Sequence, residues 1–131
     1  MDIEVFSLCD AATIDAAGKL NILGAFDTIW IGSMPAVYPA CTIATRIRFE
    51  NIERGEHRIT VSFIDLDGKS IIPTANGVIK IDFPSEQRSG SASSVLNIQM
   101  LKLEKYGEYS IDLAVDGRSE ASLPLFVRPR Q

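Results

Sequence analysis

A chain of 131 residues and 14.4 kDa, 46% hydrophobic and 23% charged, has the size and composition of one globular domain spanning residues 1–131, and its aliphatic content excludes intrinsic disorder. The net charge of −4 and isoelectric point near 4.9 oppose any general affinity for nucleic-acid phosphates or anionic lipid, so neither nucleic acid nor membrane is expected as a partner. Acids at Asp2 and Glu4, the lack of a basic leader, and no apolar run of about 18 residues predict a cytoplasmic protein.

The first segment, SLCDAATIDAAGKLNILGAFDTI (Ser7 to Ile29), sets a thiol beside a carboxylate, Cys9 and Asp10. Asp15 and a Gly18-Lys19 pair follow. The flanking stretches are apolar enough for two core strands, with the alanines and Asp15 as their connection, long enough for one helical turn. Gly18 supplies the freedom to turn, and Asp10 and Asp27 are placed to accept backbone N–H groups. The Gly-Lys pair lacks the first glycine and the Ser/Thr of a phosphate loop.

Next comes WIGSMPAVYPA (Trp30 to Ala40), which reads as a loop bent by Pro35 and Pro39. It carries Trp30, Met34, Val37 and Tyr38, residue types favoured in contact patches. The segment either covers an open end of the fold or forms an interaction surface for a protein partner or a second copy.

From Cys41 onward the apolar residues recur at period 2. Cys41, Ile43, Thr45, Ile47 and Phe49 share one face. So do Ile59, Val61 and Phe63; Ile79, Ile81 and Phe83; Leu96, Ile98 and Met100; Tyr109, Ile111, Leu113 and Val115; and Ala121, Leu123, Leu125 and Val127. Each set predicts a half-buried strand. Asp116-Gly117 is the strongest hairpin signal, because both central residues of a type I′ turn need φ > 0. Asp67-Gly68 is a second one. Pro124 lacks an N–H and places the last strand at a sheet edge. PSEQRSGSASS (Pro84 to Ser94) reads as a mobile polar loop. In LEKYGEYSIDL, Gly107 two residues before Tyr109 suggests a tyrosine corner. About seven to nine strands of this kind predict an all-β protein: an antiparallel β-sandwich, immunoglobulin-like or a similar Greek key, with a closed barrel as the alternative.

Chemistry is thin. The single histidine, His57, is expected on the surface beside a Gly turn. One histidine and two separated cysteines lack the paired spacing of a zinc site, so no metal or cofactor is expected. Asp65, Asp67 and Gly68 open like a calcium loop, but Asn76 stands where the loop's closing glutamate belongs. Cys9 and Cys41 read as reduced core thiols, with one disulfide between them as the alternative.

The stretches VFSLCDAATIDAAGKLNILGAFDTI, PAVYPACTIATRIRF, GEHRITVSFIDLDGKSIIP and GEYSIDLAVDGRSEASLPLFV resemble an uncharacterised family of small bacterial β-sandwich proteins, a domain of unknown function. The most specific part is the block from Leu8 to Asp27. The resemblance implies a compact, mostly β, cytoplasmic domain and supplies no activity or ligand. The residues themselves favour a non-enzymatic binding or assembly domain using residues 29–40. The alternative is a small-molecule binder or enzyme built on Cys9 and Asp10, with Asp15 and Lys19 nearby. A concave pocket at Cys9 or Asp10 would favour that alternative.

Overall fold

The computed structural model describes residues 1–131 and is all-β, with 70% of residues in strands and no α-helix. Nine strands form in chain order: β1 (Asp2–Ile14), β2 (Leu20–Ala25), β3 (Thr28–Ile31), β4 (Ala36–Glu50), β5 (Gly55–Ile64), β6 (Ala75–Ile81), β7 (Ser89–Leu103), β8 (Gly107–Val115) and β9 (Arg118–Pro129). A short 3-10 turn, Asn51–Glu53, links β4 to β5. The strands make two sheets, ordered β2-β1-β4-β7 and β3-β9-β8-β5-β6, and one is curled as a half-barrel. No helix is long and apolar enough to cross a membrane.

Alternation places the core where period 2 predicts it. Cys41, Ile43, Ile47 and Phe49 of β4 meet Ile59, Val61 and Phe63 of β5 and Ile111, Leu113 and Val115 of β8. The Tyr109 hydroxyl donates to the Lys105 carbonyl at 2.6 Å, the bond of a tyrosine corner. Asp116 and Gly117, at φ 52° and 82°, turn β8 into β9 as the type I′ signal requires.

Several expectations need correction. One strand pair is parallel, since Thr28 to Ile31 of β3 run alongside Phe126 to Pro129 of β9. The cause lies in the connection: Phe26 N–H donates to Leu8 in one sheet, and the Asp27 carbonyl accepts from Phe126 N–H in the other. The chain switches sheets at consecutive residues without reversing. Strand β9 is therefore internal, and Pro124 is tolerated because β3 begins only at Phe126, leaving that side of Pro124 unpaired. Residues 30–40 are not a loop. Trp30 lies in β3, and Ala36 to Ala40 begin β4, joined by the bend at Gly32 to Pro35. Ser89 to Ser94, expected to be mobile, pair with Glu50 to Thr45 of β4. Met100 is exposed rather than inward. Its φ of 55° flips the facing of β7, so that Leu101 and Leu103 turn into the core instead.

Candidate interaction surface

The residues with reactive chemistry are spent on structure. The Cys9 side chain is fully buried, and its thiol donates to the Thr42 carbonyl at 3.5 Å. Burial, then the Asp10 charge, raises its pKa. Cys41 is pushed up to about 11 by burial, then by Cys9 and Asp10. A buried thiol held protonated is a poor nucleophile. Both cysteines are free. Asp10 is exposed, with its carboxylate close against Gly24. Five surface pockets are lined by other residues, and neither Cys9 nor Asp10 lines any of the five. The turn role expected of Asp10 and Asp27 falls to Asp15, whose Oδ1 accepts Ala17 and Lys19 N–H. Asp65 does the same for Asp67 and Lys69, which accounts for the calcium-like opening.

His57 is not a free surface histidine. Its Nδ1 lies 2.6 Å from Asp116 Oδ2, and its Nε2 reaches the Glu53 carbonyl. The ring stacks on Phe49, with centroids 4.5 Å apart. Asp116 also accepts Arg58 N–H at 2.9 Å. This constellation ties the 3-10 turn, β5 and the β8–β9 turn together, and no nucleophile belongs to it.

The four apolar residues singled out between 29 and 40 divide. Trp30 and Val37 are exposed, at 54% and 46%. Met34 and Tyr38 are partly buried against the core, and Tyr38 packs beside Phe26. Strand alternation accounts for Trp30, Val37 and Tyr38, which lie on β3 and β4, while Met34 turns inward from the bend between them.

Further exposed apolar surface lies just upstream. Strand β1 pairs with β4 only from Asp2 to Cys9. Beyond Cys9 it pairs with β2 alone, through Ile14↔Leu20, Thr13↔Asn21, Ala12↔Ile22 and Ala11↔Leu23. The hairpin Asp10–Ala25 therefore projects past the body as two strands. No residue of it joins the core or packs against it. Directly opposed residues share a face, so Ala12, Ile14, Leu20 and Ile22 form one apolar face. Leu23 stands on the other face, 71% exposed, with Ile14 and Ile22 at 43% and 38%. Asp15 closes the tip. At the base, a Cβ on Gly24 would sit 2.4 Å from Asp10 Oδ2 and push that side chain aside, and the φ of 70° itself favours glycine there.

Alternation alone did not reveal this arm. Its apolar residues look like core strands, and their exposure follows from β4 ending its pairing at Cys9. Two features were legible: Leu20 to Ala25 carries no charge, and the residues at 10–17 are mostly small. Strand edges without charge or proline are unprotected against further pairing. A second apolar groove, of about 210 Å³, opens between β6 and β7 and is lined by Ile59, Val61, Val78, Ile79, Val95 and Leu96.

The sequence model of a family described as a family of unknown function (DUF6941) matches residues 4–128. No curated protein matches the sequence. Among solved structures, a β-glucosidase from Listeria innocua in complex with isofagomine is similar over 95% of this chain, at 9% identity and a TM-score of 0.54. This chain spans 16% of that protein's length, and the likeness is one of fold alone. A DNA glycosylase, AlkC of Pseudomonas fluorescens, bound to DNA containing an abasic-site analogue, is similar over 78% of this chain and 28% of its own, at 11% identity and a TM-score of 0.40.

Proposed function

The chain belongs to this family of unknown function, and we propose that it is a non-enzymatic binding or assembly domain whose contact surface is the β1–β2 hairpin. One observation carries this reading: Asp10–Ala25 exposes Ile14, Ile22 and Leu23 while giving nothing to the core. A two-stranded hairpin is marginal in water by itself. Exposed aliphatic residues on such an arm gain most when a partner removes them from water, at about 25 cal/mol per Å².

The enzymatic alternative at Cys9 and Asp10 loses weight because Cys9 is buried with its thiol held protonated. The partner is a protein. The net charge of −4 weighs against nucleic acid and anionic membrane. Two free cysteines suit a reducing compartment, which supports a cytoplasmic location. The Tyr109 corner supports an immunoglobulin-like reading of the scaffold.

Site-specific photo-crosslinking tests the proposal. A photoreactive residue at Leu23 is compared with one at Leu66, because both positions are 71% exposed. A discrete protein adduct is expected at 23 and not at 66. Equal or absent adducts at the two positions would contradict the reading.

A further inference from the structure

We infer that the hairpin's partner is a second copy of this chain, docked edge to edge along β2 about a two-fold axis. The inference rests on the hairpin being the contact surface. Strand β2 pairs with β1 on one side and with nothing on the other. An antiparallel pairing of β2 with its copy is isologous, since each edge offers the same backbone groups to the other. It joins two four-stranded sheets into one of eight strands, arranged β7-β4-β1-β2 and then the mirror order in the copy.

Charge selects this occupant and its register. Leu20 to Ala25 carries no charged side chain, so self-pairing sets no like charges together. Lys19 and Asp27 flank the strand, are both exposed and have no ion-pair partner within the chain. An antiparallel register centred on Leu23 lays Leu23 against Leu23 of the copy. It sets Lys19 opposite the point where the copy's chain leaves the sheet at Phe26 and Asp27, so that the long Lys19 side chain faces the Asp27 carboxylate from beyond the end of the ladder, and the two-fold repeats the pair at the other end. A strand edge with a cation before it and an anion after it is complementary to itself when run antiparallel. The axis stands perpendicular to the sheet, so the apolar faces formed by Ala12, Ile14, Leu20 and Ile22 stay on one side and become continuous.

Sedimentation equilibrium on the full chain tests this. Wild type should approach twice the 14.4 kDa chain mass as concentration rises. Leu23→Lys, at a position 71% exposed and with its fold checked by circular dichroism, should sediment as a monomer. Lys19→Asp should weaken dimerisation about tenfold. Adding Asp27→Lys to Lys19→Asp should restore it. A wild type that stays monomeric overturns the inference, as does a Leu23→Lys variant that still dimerises. Failure of the double charge reversal to recover overturns the register. A monomeric wild type whose position 23 still crosslinks to a different protein removes the second copy and leaves the hairpin as the contact surface. A monomer with no adduct at 23 removes both.

Discussion

Only a doubly protonated His57 can donate to both the Asp116 carboxylate and the Glu53 carbonyl. Burial opposes the charge most strongly, but the Asp116 and Glu53 contacts outweigh it and hold the pKa above the ordinary histidine value. His57 in turn leads the causes that lower the Asp116 pKa. For a raised histidine, the stabilisation is complete below the unfolded pKa of about 6.5 and fades as pH rises through the folded value. For the lowered aspartate, it fades as pH falls through the folded value. Thermal melts should therefore show Tm falling by about 2–4 °C above roughly pH 7, since the half-exposed Asp116 limits the effect. Asp116→Asn keeps an acceptor for Arg58 N–H and removes the charge, and should flatten that decline. An equally steep decline in the variant would assign it to other groups. The sequence showed the Gly turn beside His57 but not Phe49 beneath its ring. That contact joins residues on different strands, which no local pattern encodes.

At the scale of the element, strand facing was legible where alternation ran unbroken. Cys41 to Phe49 and Tyr109 to Val115 bury the faces their spacing predicts, although β4 is not half-buried throughout, since Thr42 and Ala44 on its opposite face are buried as well. It was not legible at Met100, where the left-handed φ of 55° inserts a change of parity. No glycine or asparagine marks that position, so the sequence carried no sign of it. The consequence is measurable. Met100→Val, at a residue 63% exposed, should cost about 1–2 kcal/mol in urea unfolding, because a β-branched side chain resists that conformation. Met100→Gly should cost nothing or stabilise slightly. Equal effects from the two substitutions would show that the backbone of β7 does not hold that angle. The hairpin follows the same logic at the opposite extreme. Its alternation is sound, yet alternation reports a face and not what covers it, so Ile14 and Ile22 read as core while lying outside it.

For the molecule as a whole, the all-β architecture followed from turn spacing and period 2, and the pairing order did not. A sheet switch at Phe26 and Asp27 depends on Leu8 and Phe126 arriving on either side, contacts far apart in the chain. The surface left by that order is uneven. The β6 and β7 edges lie near one another and flank an apolar groove, while β2 stands at the end of an arm with its outer edge unpaired. If two copies assemble through that arm, its outer edge loses contact with water, which amide hydrogen exchange followed against protein concentration reads out. The amides of residues 20–25 that point away from β1 should exchange rapidly in dilute solution and become protected as concentration rises, while β4 and β8 stay protected throughout. Unchanged exchange at 20–25, with protection appearing instead along β6 or β7, would contradict assembly through the arm.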